Sequence, residues 1–355
     1  MKTIKFVVLS LAVSFLLSGC AISFKTASST NGDGGIFLSQ DKGSSWKQIA
    51  YTPSINGAPG AFSSLDSSSL AIDPSDSSAF YFGSAKGLYY SFNLSNGWNL
   101  AVGGLPQTEI TAVAVSPDNK CQIYAASANK VYRSDDCDRT WKEIYFNDDT
   151  TIIITSLAID NYTPTKIYIG TSAGNVFKSE NRGQDWRLIA SFNFRVSKIL
   201  LTSSDTRNIF VSTNGDGIKR SVDGGDNWED LKKDGKMTAF NNNYKIITLE
   251  NSVTDRNLIY AASNNGIFIS TDNGDNWSAL KLLTEKGATI NDLKINPKNP
   301  SEIYYVSNTT FYSSVNGGIN WRTVKLPSSR AGWKLLLKTG DVNTILMGMK
   351  KYQTN

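Results

Sequence analysis

The sequence predicts an all-β chain folded as a seven-bladed β-propeller, and three observations carry that expectation. An eight-residue pattern, Ser-x-Asp-x-Gly-x-x-Trp, returns along the chain. Its tryptophans, Trp46, Trp98, Trp141, Trp186, Trp228, Trp277 and Trp321, stand 42 to 52 residues apart, the length of a four-stranded propeller blade. No segment sustains a helical apolar period, so the chain is expected to be all-β, its blades four-stranded and antiparallel by the repeat length.

The pattern is complete at Ser39, Asp41, Gly43, Trp46, at Ser221, Asp223, Gly225, Trp228 and at Ser270, Asp272, Gly274, Trp277. Asparagine replaces the aspartate at Ser179, Asn181, Gly183, Trp186 and at Ser314, Asn316, Gly318, Trp321. Two copies are decayed: Ser134, Asp136, Asp138, Trp141 lacks the glycine, and Ser91, Asn93, Ser95, Trp98 lacks both the aspartate and the glycine. These residue types describe a turn. A short Asp or Asn side chain accepts hydrogen bonds from turn amides, and glycine takes the positive φ that such turns demand. Tryptophan covers the turn and needs a partner for its indole N–H.

Around each motif the sequence reads as four short strands. In the unit of Trp186 these are Ile154 to Ile159, Lys166 to Thr171, Gly174 to Ser179 and Trp186 to Ala190, with turn residues between them. Asn31-Gly32, Asn214-Gly215, Asn265-Gly266 and Asp223-Gly224 mark further corners. The first motif has one strand before it, Gly35 to Ser39, and the last is followed by two strand-like runs, Trp333 to Lys338 and Asn343 to Met349. One blade is therefore expected to take its inner strands from the C-terminus and its outer strands from the N-terminus, a closure that removes the open sheet edge.

The first residues set the expected compartment. Lys2 and Lys5 precede an apolar run, Phe6 to Leu17, that ends in Leu17-Ser18-Gly19-Cys20. Residues 1–19 read as a lipoprotein signal peptide and Cys20 as the lipidated mature N-terminus. Residues 20–33 then form a flexible Ser/Thr/Gly-rich tether, 34–350 the propeller and 351–355 a tail. The expected location is the periplasmic or exterior side of a bacterial membrane.

Loss of residues 1–19 removes two lysines and no acids, which lowers the formal charge from +5 to +3. So mild a charge argues against a nucleic-acid partner. Histidine is absent, so the commonest metal ligand and general base are missing, and no metal or cofactor is expected. Cys121 and Cys137 flank a predicted hairpin, Gln122 to Ser127 and Lys130 to Ser134, and in an exported chain they are expected to pair.

At its motifs the chain resembles the Asp-box propellers: sialidases, sortilin-type sorting receptors, xyloglucanase-type hydrolases and photosystem II assembly-factor propellers. Runs such as Leu258-Ile259-Tyr260-Ala261-Ala262 before Gly266-Ile267-Phe268-Ile269-Ser270 look most like the sortilin and assembly-factor members. The resemblance implies that the boxes lie on the rim away from any catalytic site. Asp41, Asp136, Asn181, Asp223, Asp272 and Asn316, each with its tryptophan, are then structural.

A sialidase of this kind would need six blades and an arginine triad, whereas the nearest approach here to its Phe-Arg-Ile-Pro signature is Phe194-Arg195-Val196-Ser197, without the proline. Xyloglucanase-type members imply paired carboxylates facing across a cleft between two propellers. The candidates, Asp148, Asp149, Asp216, Asp234, Glu285 and Asp292, show no spacing that pairs two of them.

A binding role asks for less. The strand order places the outer-to-inner connections on the face away from the boxes, and loops are where recognition concentrates. The longest are Tyr51 to Ser67 and Leu231 to Asn243. The expected binding face is basic and aromatic: Arg195, Lys198, Lys236, Phe240, Lys245, Arg330, Trp333 and Lys334. The sequence thus points to a non-enzymatic, lipid-anchored binding or assembly scaffold with an envelope protein as partner. A propeller that binds or hydrolyses surface glycan is the alternative.

Overall fold

The computed structural model describes residues 32–53, 60–242, 244–255, 257–264, 266–283 and 289–352. The expected leader, Cys20, most of the tether and Glu285 lie outside these residues. Seven four-stranded antiparallel sheets form the blades, numbered here by their boxes. Their inner strands are Ser67–Ile72 in blade 2, Ile110–Ser116 in blade 3, Ile154–Ile159 in blade 4, Val196–Leu201 in blade 5, Ile246–Asn251 in blade 6, Ile290–Ile295 in blade 7 and Ala331–Leu337 in blade 1. Each inner strand packs against the next, and Ala331–Leu337 returns to Ser67–Ile72, so the ring is closed.

Blade 1 is the closing blade. Ala331–Leu337 and Ile345–Lys350 arrive from the C-terminus, and Ile36–Ser39 and Lys47–Gln48 complete the sheet, with Phe37 opposite Met347. A small hairpin, Tyr51–Thr52 with Gly60–Ala61, lies outside the blades. The described helical turns are short, Leu94–Asn96 and Thr238–Phe240.

The core is divided among the seven gaps between blades. Tyr168 and Val176 of blade 4 meet Val196 and Ile199 of blade 5, and equivalent clusters fill the other gaps. Every blade is sandwiched between two others, so its second strand is buried on both faces. Ile167–Thr171, Ile209–Thr213 and Ile303–Ser307 are buried throughout, which explains why they read as near-continuous apolar runs rather than alternating ones.

Each inner strand carries a bulge near its start, between Val196 and Lys198 in blade 5 and at the matching places elsewhere. A bulge twists the strand and re-aims its side chains. In three blades the bulged residue reaches a backbone carbonyl of the next blade: Thr111 Oγ1 donates to Ile154 at 2.7 Å, Thr155 Oγ1 to Val196 at 2.6 Å and Asn291 Nδ2 to Gly332 at 2.7 Å.

Six of the seven boxes repeat one hydrogen-bonded turn. In box 5, Ser221 Oγ donates to Asp223 Oδ1 at 2.8 Å and accepts the Gly225 N–H at 2.9 Å, while Asp223 Oδ1 accepts the Asn227 N–H at 2.9 Å. Asp41, Asp136, Asn181, Asp272 and Asn316 accept the corresponding N–H in their boxes. The glycine has positive φ and abuts the preceding blade: at Gly274, φ is +91° and an added Cβ would lie 2.8 Å from the Phe210 ring. The indole N–H groups of Trp186, Trp228, Trp277 and Trp321 donate to carbonyls. Those of Trp46, Trp98 and Trp141 are buried without a partner among the described residues, against the sequence expectation.

Candidate functional site

The third strand of each blade runs into its box, so the inner strand, two strands earlier, runs the same way. It therefore starts on the face away from the boxes. The inner strands enclose a central channel with a cavity of about 410 Å³. The residue after each bulge forms one layer of its wall: Ser69, Ala112, Ser156, Lys198, Thr248, Asp292 and Lys334. Two residues further in, the layer is Ala71, Ala114, Ala158, Leu200, Glu250, Lys294 and Leu336. Blades 2, 3 and 4 thus contribute serine and alanine, while all the charges in these layers come from blades 5, 6, 7 and 1.

Both carboxylates in the channel wall are engaged. Glu250 forms an ion pair with Lys294. Asp292 Oδ2 accepts the Leu335 N–H from the next blade at 2.9 Å, and Oδ1 accepts the Leu293 N–H at 2.9 Å. Ser156 plays the same part in blade 4, where its Oγ accepts the Ile199 N–H at 3.0 Å. Burial alone would lower the Lys294 pKa, but the charges of Glu250 and Asp292 outweigh it and hold the ammonium above the ordinary lysine range. Lys198 and Lys334 differ. Burial pushes both down; the Lys294 charge adds to this, while Asp292 and Glu250 oppose it. Both side chains stay partly open to channel water although protein rings them.

The eight residues expected to share a binding face do not share one. Lys198 and Lys334 line the channel. Arg195 and Lys245 are exposed on the face away from the boxes, beside Asn214, which donates its N–H to the Arg195 carbonyl at 2.9 Å and bridges to Lys245. Trp333 is half-buried, with Lys350 Nζ 4.4 Å from its ring centre.

Three placements correct the expectation. Phe240 is fully buried in the gap between blades 5 and 6 and stacks on Phe268 at 3.9 Å between ring centres. The 3₁₀ turn Thr238–Phe240 folds it inward, where burial outweighs exposure of so large an apolar ring. Lys236 reaches the box rim and pairs with Asp275 at 2.9 Å and Glu229 at 3.2 Å. Arg330 is 8% exposed and pairs with Asp66 at 2.6 Å and Asp33 at 3.4 Å, so its charge is consumed in the closing blade.

The sequence reading missed the apolar part of that face. Ile153 and Phe194 are exposed just ahead of the inner strands of blades 4 and 5, at 36% and 42%, beside the turns that hold Ser172 and Gly174. Their connections are short, and nothing in a short loop distinguishes an exposed phenylalanine from one folded inward, as Phe240 is. The candidate carboxylates are dispersed. Asp149 accepts the Thr151 N–H and hydroxyl, Asp216 pairs with Lys219 and Lys232, and Asp148 and Asp234 are exposed. Of the Phe194-Arg195-Val196-Ser197 run, Val196 is core and Ser197 lines the channel.

The Sortilin-Vps10 family model (sortilin, neurotensin receptor 3) matches residues 216–354, and the chain is accordingly similar to this Asp-box propeller family over its later blades. Among curated proteins, no sequence match is found. The GH74 xyloglucanase from Xanthomonas campestris superposes with a TM-score of 0.67 at 15% identity, covering 86% of this chain and 52% of that one. The present chain therefore spans about half the length of that enzyme. YCF48 bound to D1 peptide superposes at 0.62 with 13% identity, covering 80% of this chain and 93% of that one. YCF48 from Cyanidioschyzon merolae gives 0.60 and 13%, covering 84% and 97%. At such identities the likeness is one of fold.

Proposed function

We propose that this propeller is a non-enzymatic binding or assembly scaffold that docks a polypeptide of the cell envelope on the face away from its boxes, tethered there by lipid on Cys20. The observation that carries this reading is the exposed pair Ile153 and Phe194 beside Arg195, gathered around the turn that holds Ser172 and Gly174. Aromatic and aliphatic side chains next to an arginine are the composition of a protein interface centre. The engaged state of Glu250 and Asp292 argues against a hydrolytic pair in the channel, since an acid and a base must each be available for proton transfer. A peptide bound to YCF48, a propeller of the same fold, supports a polypeptide ligand.

The test is co-purification after cross-linking from the native membrane fraction. The wild-type chain is expected to retain one partner, identified by mass spectrometry, and the pair Ile153→Ser with Phe194→Ser to lose it, while Ile319→Ser on the box side keeps it. The Cys20→Ser chain is expected to leave the membrane fraction. Retention by the double variant, or recovery of glycan without protein, overturns the docking proposal.

A further inference from the structure

In the channel layer that follows the bulges, three side chains tie one blade to the next. Ser69 Oγ donates to the Ile110 carbonyl at 3.1 Å, and Ser156 and Asp292 accept the N–H groups of Ile199 and Leu335. Blades 5 and 1 place Lys198 and Lys334 at this position. A lysine ammonium accepts no hydrogen bond, so it cannot make the tie to an N–H. Neither ammonium has a hydrogen bond or ion pair among the described residues, and both side chains line the cavity of about 410 Å³. Lys294 is neutralised by Glu250 and Asp292 carries one negative charge, so Lys198 and Lys334 leave the cluster with one net positive charge.

We infer that Lys198 and Lys334 form a binding site in the central channel for a small oxyanion, a ligand bearing a phosphate or a carboxylate. An unpaired charge in a protein-walled channel is costly, and the cost is relieved by a counter-charge that also accepts hydrogen bonds. An oxyanion meets both needs, and the hydroxyls of Ser156, Ser197 and Thr248 on the same wall supply neutral donors. The low-dielectric wall strengthens each contact relative to a surface lysine. The site is separate from the docking face, so the outcome of either experiment leaves the other standing.

Calorimetric titration of the full chain at constant ionic strength provides the test, with inorganic phosphate and succinate as probes. Saturable binding of at least one probe is expected, with a matching rise in Tm. Phosphate alone assigns a phosphate ligand and succinate alone a carboxylate. Lys198→Thr and Lys334→Ser are each expected to lower affinity tenfold or more. Both new residues already occupy this position in sister blades, as Thr248, Ser69 and Ser156, so each variant is compatible with the fold, and each reads out independently. Lys245→Ser, on the open face, is expected to leave binding unchanged. Absence of saturable binding, or undiminished binding in either channel variant, overturns the inference.

Discussion

Asp138 stands where Gly43, Gly183, Gly225, Gly274 and Gly318 stand in their boxes, and it keeps the glycine backbone, with φ at +68°. Its carboxyl group points into the gap between blades, 4% exposed, and neither oxygen has a hydrogen-bond partner. Burial, and then the charge of Asp136, push its pKa up to about 7. A carboxyl group raised in the folded state holds its proton longer there than in the unfolded chain. Its cost to stability is absent below the unfolded pKa near 4, grows as pH rises to about 7 and is constant above, on the order of 4 kcal/mol. Asp138→Gly is therefore expected to raise Tm at pH 8 and to raise it much less at pH 4, as read by thermal unfolding at the two pH values. An equal gain at both would show that backbone strain alone is relieved.

At the scale of the element, the two decayed boxes have each acquired a different fastener. In box 2, Tyr51 from the small hairpin that follows the outer strand of blade 1 donates its hydroxyl to the carbonyls of Leu94 and Ser95, and its own carbonyl accepts the Trp98 N–H at 2.9 Å. In box 3, where Asp138 displaces the glycine, Cys121 and Cys137 are joined by a disulfide across 16 residues of sequence, and the Cys137 N–H donates to the Cys121 carbonyl at 3.2 Å. Closing a loop of this length stabilises by about 3 kcal/mol, chiefly by restricting the unfolded chain. Cys121→Ser with Cys137→Ser is thus expected to lower the unfolding free energy by about that amount in denaturant titration, with little change for reductant added to the variant. The decay of both boxes is visible in sequence, and so is the cysteine pair. The Tyr51 repair is not, because a tyrosine 43 residues upstream of Leu94 carries no local signal of where its hydroxyl ends.

Over the whole molecule the weak point of a closed ring is its seam. Arg330 holds it, pairing with Asp66 and with Asp33, whose carboxylate also accepts from the Ser329 N–H and hydroxyl at 2.6 Å. The Ser329 contacts hold the Asp33 pKa below the ordinary carboxylate range against the opposing effect of burial. Its contribution is present above the unfolded pKa and is lost as pH falls through the folded value, so the seam loosens in acid. Arg330→Ala leaves two partly exposed carboxylates unpaired and is expected to cost about 2–3 kcal/mol near pH 7, less below pH 3. Thermal unfolding checks this, and an unchanged Tm at neutral pH would place the strength of the seam in the strand pairing alone. The sequence offered Arg330 as a free surface cation because both its acidic partners lie far away along the chain, at a separation of 264 residues for Asp66.

The motif by itself determined the number of blades, the four-stranded sheets, the turn chemistry of the boxes and the offset closure. Each of these follows from residues close together in sequence, and repetition multiplies the signal. Only the tertiary structure decided where the irregular residues face. Phe240 and Phe194 are similar loop residues by local composition, yet one fills a gap between blades and the other meets solvent. Lys198 and Lys334 look like surface lysines until the bulges turn them into the channel. Those outcomes depend on which blade stands beside which, and adjacency around a ring is a long-range property that no window of the sequence contains.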